Sequence, residues 1–137
     1  MYPPELTTPM KEDLTNSGFQ ELLTAGEVED VIENGAGSVF LVVNSVCGCA
    51  AGNARPAAKE AIKNDKCPDK SVTVFAGVDA EAVSKAREYM LPYPPSSPSM
   101  ALFKDGKLVH FIERHQIEGN TAETICNHLK QVFTQYC

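Results

Sequence analysis

Positive charge is scarce in this chain: twelve Lys and Arg stand against eighteen Asp and Glu over 137 residues, for a formal net charge of −6. The basic residues are also scattered. Duplex nucleic acid and anionic membrane surfaces are bound through clustered Lys and Arg, so neither is an expected partner. No apolar run approaches the roughly 18 residues of a membrane span. The opening stretch MYPPELTTPMKEDL lacks the basic start and the apolar run of roughly 7–15 residues that mark a secretory signal. These absences make the cytoplasm the expected location. Disulfides are rare in that reducing compartment, and five cysteines (Cys47, Cys49, Cys67, Cys126 and Cys137) cannot all pair within one chain. They read as chemistry or as small buried apolar groups. What is present, 43% apolar and 22% charged residues, suffices for a single domain over residues 1–137 to bury a core without disulfide support.

Local signals give an order of elements. Thr8 as N-cap with Pro9 at the first helical position predicts a short helix that Gly18 closes. Thr24 and Glu27 have the spacing of a capping box, and the helix through Val28, Val31 and Ile32 should stop at Gly35. SVFLVVN, Ser38 to Asn44, is a β-branched and aromatic run too short for a helix, which predicts a strand covered on both faces. Ala50 to Lys63 reads as a helix that Pro56 kinks or starts. A second strand is predicted from Ser71 to Val78, with Asp79 capping a helix along Val83, Ala86 and Met90. The proline-rich stretch Leu91 to Pro98 interrupts regular structure. Met100 to Phe103 and Leu108 to Ile112, joined across Asp105-Gly106, predict a β-hairpin. Asn120 and Glu123 cap a last helix whose apolar stripe runs through Ile125, Leu129, Val132 and Phe133.

Strand, helix, strand, helix, hairpin and helix, preceded by two added helices, describe a three-layer α/β plan with a mixed sheet. The helical crossover makes the first two strands parallel, and the hairpin adds antiparallel ones. Ligand chemistry in open α/β sheets gathers at the carboxyl ends of the parallel strands. The tripeptide Cys47-Gly48-Cys49 falls at that edge.

A helix starting near Cys49 aims unpaired N–H groups and its positive dipole end at the Cys47 sulfur, which favours thiolate, the nucleophile of disulfide exchange. Cys49 is close enough to attack a mixed disulfide on Cys47, and Gly48, without a Cβ, permits the bend this demands. Closing so small a ring gains roughly 1.5 kcal/mol in the loop-entropy model. Strain of several kcal/mol offsets it, so a Cys47–Cys49 bond is expected to be labile and comparatively oxidising. Two buried, inert cysteines would give the same CxC, as in a non-catalytic adaptor. Zinc is a third reading, through Cys47, Cys49, Cys126 and His128. Against it, Cys126 and His128 lie about 200° apart around a helix axis, and Cys126 borders the apolar stripe. His110 and His115 have nothing that places them near Cys47. Arg55 and Lys59 could lend the thiolate positive potential or simply form a solvated helix face.

SPSMALFKDGKLV, Ser97 to Val109, resembles the cis-proline, strand and hairpin of the thioredoxin superfamily, with Pro98 in the proline's place. The resemblance implies that Pro98 lies beside the redox cysteines and that the Ser97 backbone binds substrate. Thioredoxins carry CxxC, usually after a tryptophan; here the spacing is CxC, Val46 precedes it, and the chain has no Trp. The fuller similarity, from MYPPELT through VCGCAAGNARPA to the final helix, is to the bacilliredoxin family. It implies a thioredoxin-like fold and an enzyme that removes bacillithiol, a low-molecular-weight thiol, from oxidised protein cysteines. In that scheme Cys47 attacks, Cys49 or a second bacillithiol resolves, and Gly48, Ser97 and Pro98 line the substrate site. Bacillithiol is then a co-substrate, bacillithiolated or disulfide-containing proteins are the partners, and no cofactor or metal is expected. A general disulfide reductase or isomerase is the alternative.

Overall fold

A computed structural model describes residues 2–137. Along the chain run α1 (Pro4–Thr15), β1 (Gln20–Glu21), α2 (Ala25–Ile32) and β2 (Ser38–Asn44). A π-helical turn (Ala50–Ala54) leads into α3 (Arg55–Ala61), followed by β3 (Lys70–Phe75), α4 (Ala80–Glu88), β4 (Ser99–Lys104) and β5 (Lys107–Ile112), then α5 (Arg114–Glu118) and α6 (Ala122–Tyr136). The five strands form one sheet in the order β1-β3-β2-β4-β5. β2 runs parallel to β3 and antiparallel to β4, as the crossover and hairpin predict, and β5 is antiparallel to β4.

Every residue of β2 is buried, because side chains alternate between two covered faces. Phe40 and Val42 join Leu14, Ala57, Ala58, Leu129 and Phe133 beneath α1, α3 and α6. Val39, Leu41 and Val43 pack with Val28, Ile32, Ala82 and Ala86 beneath α2 and α4. The Phe40 ring meets Phe133 edge-on at 5.1 Å. Burying a side chain of this kind contributes about 1.5–3 kcal/mol, so the central strand anchors both layers. Its last residue, Asn44, thereby fixes where the following loop emerges.

Several boundaries differ from the sequence reading, each for a local reason. α1 begins at Pro4 rather than after Thr8, so Pro9 lies inside the helix. Its ring faces solvent while Thr7 and Leu14 hold the opposite side, so the backbone bond to the Glu5 carbonyl is lost on the exposed face and not beneath the packed one. β3 stops at Phe75, short of Val78, where Gly77 takes a φ of +85° that ends extended backbone. Asp79 precedes α4 without capping it; its carboxylate meets Lys11 Nζ at 2.8 Å. Thr121, not Asn120, caps α6 by accepting from the Thr124 N–H at 3.1 Å. The Asn120 side chain is spent on the Gln116 carbonyl, closing α5. β1, two residues paired with β3, and α5 went unread. The Thr24 and Glu27 capping box, the span of β2 and the Asp105-Gly106 turn follow the reading; both turn residues have positive φ.

Candidate functional site

β2 ends at Asn44 in the middle of the sheet, and the chain turns through Ser45 and Val46 to Cys47. Helical backbone starts at Gly48, but the expected single α-helix from Ala50 to Lys63 is replaced by a π-helical turn and then α3. The cause is Pro56, which has no N–H to return to Gly52; the Arg55 N–H bonds to the Ala50 carbonyl instead, an i→i−5 link. The Cys49 N–H donates to the Cys47 sulfur at 3.4 Å, as the placement of the helix start predicts. The Ala50 and Ala51 N–H groups close on the Cys47 carbonyl at 3.0 and 3.2 Å.

Beneath this loop lies a polar brace. Arg55, weighed above as part of a solvated face, is only 5% exposed. Its Nη1 donates to Asn44 Oδ1 at 2.9 Å and to the Ser45 carbonyl at 3.0 Å, and its Nε to Asp13 Oδ2 at 3.2 Å. Asn44 Oδ1 also accepts the Ser45 N–H, and its amide group donates to the Met10 carbonyl. Lys59 pairs with Asp13 at 2.6 Å. Arg55 therefore fixes the loop from below rather than lending charge to the sulfur above. The Ser45 hydroxyl accepts the Cys47 N–H at 3.2 Å.

The sheet register brings two further segments to the same edge. Val43 of β2 lies opposite Ser99 of β4, and Met100 opposite Ile112 of β5. The residue pair before β4 and the residues after β5 thus flank Cys47. Ser97-Pro98 is a cis peptide, with Pro98 buried, which matches the geometry implied by the thioredoxin resemblance. A second cis bond, Leu91-Pro92, was not anticipated.

Arg114, the first residue of α5, completes the site. Its Nη2 donates to Cys47 Sγ at 3.3 Å and its Nη1 to the Ser97 carbonyl at 3.2 Å, while Nε pairs with Glu118 at 3.2 Å. One guanidinium thus bridges the sulfur and the backbone beside Pro98. Sequence reasoning missed it, although a signal existed: Glu113 and Gln116 form a capping box that begins a helix right after β5.

The two thiols are driven apart electrostatically. Cys47 is held below the usual thiol range by its hydrogen bond with the Cys49 side chain, then by the Cys49 N–H, with the Arg114 charge and the Ala50 N–H adding to this against the effect of burial. Cys49 is pushed above that range by burial first, then by its hydrogen bond to Cys47 and the charge that Cys47 carries. The surroundings favour the thiolate at Cys47 and the protonated thiol at Cys49. Both are half-buried and free, at the rim of the fold.

Gly48 is exposed, and a Cβ built there would meet nothing within 4 Å. The backbone of the reduced form therefore does not demand glycine; the bend argued from sequence belongs to closure of a Cys47–Cys49 bond, which both free thiols leave open. Its missing side chain leaves the approach to the sulfur open.

The remaining candidates fall elsewhere. Cys126 is buried on α6 in the core, and burial pushes its thiol up. His128 faces outward and pairs with His110 of β5, Nε2 to Nε2 at 2.9 Å. His110 is held below the usual imidazole range by burial and then by His128. His115 pairs with Glu113 at 2.8 Å. Among the described residues no three of His, Cys, Asp and Glu gather closely enough to hold a metal ion, and no helix is long and apolar enough to cross a membrane.

Comparison with known proteins agrees with this geometry. The model of the disulphide isomerase family matches residues 2–137. The bacilliredoxin of Cytophaga hutchinsonii is 56% identical, over 98% of this chain and 99% of its own length. That of Halalkalibacterium halodurans is 52% identical, over 99% and 94%. Among solved structures, Fasciola hepatica thioredoxin superposes with a TM-score of 0.61 at 18% identity, covering 87% of this chain and all of that one. Mitochondrial thioredoxin 3 of Saccharomyces cerevisiae gives 0.61 at 17% identity, covering 90% and 98%. At such identities these two likenesses speak for the fold alone. With the family match over nearly its whole length, the thioredoxin-like fold and the paired thiols at the sheet edge, the chain belongs to the bacilliredoxin family and is a thiol-disulfide oxidoreductase.

Proposed function

We propose that the protein removes bacillithiol from protein mixed disulfides, with Cys47 as nucleophile and Cys49 as resolving thiol. One observation carries this reading. The Cys47 sulfur accepts from the Cys49 N–H at 3.4 Å and from Arg114 Nη2 at 3.3 Å, contacts that favour its thiolate, while the thiol of Cys49, two residues away, is pushed up. The Cys47 thiolate attacks the bacillithiol sulfur of the adduct; a new S–S bond forms, the old one breaks, and the client protein leaves as its thiolate. Cys47 then carries the small thiol. Either a second bacillithiol thiolate attacks the bound bacillithiol's sulfur, departs as bacillithiol disulfide and returns Cys47 as its thiolate, or Cys49 gives up its proton and attacks the Cys47 sulfur, expelling bacillithiol and leaving a Cys47–Cys49 disulfide for later reduction. Sulfur does all the chemistry, so neither metal nor organic cofactor is required. The backbone at Ser97, the cis Pro98 and the open space over Gly48 would seat the client's extended chain. Thiol chemistry of this kind belongs in the cytoplasm, where reduced thiols are maintained.

A panel of three substrates tests the reading: a bacillithiol-modified protein, a glutathione-modified protein and a protein with scrambled disulfides. The native chain should turn over the bacillithiol adduct fastest. Cys47→Ala should abolish turnover, and Cys49→Ala should complete the first transfer and accumulate the Cys47 mixed disulfide by mass spectrometry. Preference for the scrambled protein would replace this reading with that of an isomerase.

A further inference from the structure

We propose that Arg114 selects substrates by charge, holding the Cys47 thiolate in the reduced protein and passing to a carboxylate of the small-thiol adduct once Cys47 has reacted. The proposal rests on exchange through Cys47 as described above. It starts from the cleft of about 250 Å³ beside the sulfur, which Tyr2, Ser45, Val46, Ala76 and Gly77 line together with Cys47, Ser97 and Arg114. Among the described residues, Arg114 is the only one in that lining with a fixed charge, on a chain whose net charge is −6. Glu118 occupies the Nε edge and aims the two Nη groups at Cys47 and Ser97.

When the Cys47 thiolate attacks, its electron pair forms the bond to the small thiol's sulfur, and the negative charge leaves with the client's sulfur. Cys47 becomes neutral. A guanidinium does not give up its proton in a protein, so Nη2 loses its anionic partner as the rest of the small thiol enters the cleft. A carboxylate on that molecule is the group a guanidinium binds most strongly, through two parallel hydrogen bonds. The substrate class assigned is therefore mixed disulfides of small thiols that bear a carboxylate.

Two measurements separate this proposal from the reading it rests on. The first uses the reduced protein alone, comparing the rates at which anionic iodoacetate and neutral iodoacetamide alkylate Cys47, followed on its peptide by mass spectrometry. Both reagents consume the thiolate, so a change in its population cancels in their ratio and only the local field remains. Arg114→Gln should lower the iodoacetate to iodoacetamide ratio about fivefold, the factor expected from one unit charge about 4 Å away in water. Arg114→Lys should largely retain it. An unchanged ratio in Arg114→Gln overturns the proposal.

The second measurement loads one client cysteine with 3-mercaptopropionate, 2-mercaptoethanol or cysteamine. The native chain should act fastest on the anionic adduct and slowest on the cationic one, and Arg114→Gln should flatten that order. Equal charge preference in both proteins overturns the proposal even where turnover is fast. Loss of all small-thiol turnover in the native chain, with the alkylation ratio behaving as expected, overturns the function proposed for the site and leaves the charge assignment of Arg114 in place.

Discussion

Cys47 and Cys126 sit against different parts of one helical run: Cys47 beside its first turn, Cys126 buried on α6 in the core cluster that includes Ala57, Ala58 and Ala61, lining a cleft with Pro56 and Glu60 of α3. The side chain is the same and the chemistry is opposite. Around Cys47 the start of the helix supplies the Cys49 N–H and a second thiol, and α5 adds the Arg114 guanidinium, all favouring the charged form. Around Cys126 burial dominates and favours the neutral form. Reactivity in this protein is a property of what surrounds each thiol, not of cysteine content.

The contrast can be broken in order of expected effect. Exchanging one thiol for a methyl group should separate the two sites completely: Cys47→Ala loses turnover, whereas Cys126→Ala keeps the native rate in the same assay. The brace under the reactive loop comes next. Arg55→Ala removes three hydrogen bonds from a side chain that is 5% exposed and should cost about 3 kcal/mol in urea unfolding, the low end for a buried ion pair because Asp13 is partly solvated. It should also slow exchange, since the Ser45 carbonyl and Asn44 no longer hold the loop. Cys126→Ala should cost only about 1 kcal/mol, the scale of a small core truncation. A much larger loss would mean that the Cys126 thiol does more than fill space.

What was legible in the sequence follows the range of the forces involved. The β-branched run of β2, the Thr24 capping box and the Asp105-Gly106 turn are fixed by residues within a few positions of one another, and the structure has them as read. The CxC motif was legible because element order puts it at the carboxyl edge of the parallel strands, whereas the proline before β4 was legible only through the resemblance to the thioredoxin superfamily. Arg55 was misjudged because its partners, Asp13 and Asn44, are 42 and 11 residues away. Arg114 was missed for a related reason: its contact with Cys47 spans 67 residues. It depends on a one-turn helix opened by Glu113, an uncommon cap. The π-helical turn needed the combined reading of Pro56 and the bond it cannot make.

The account turns on Cys47 being ionised where an ordinary thiol is not. The direct measurement is the pH dependence of iodoacetamide alkylation at each cysteine of the reduced protein, resolved by peptide mass spectrometry. Because the folded environment lowers the Cys47 pKa and raises that of Cys49, the Cys47 rate should stay high at neutral pH and fall only on acidification below the ordinary thiol range. The Cys49 rate should rise only above that range. Midpoints for Cys47 at or above those of Cys49 would contradict the account.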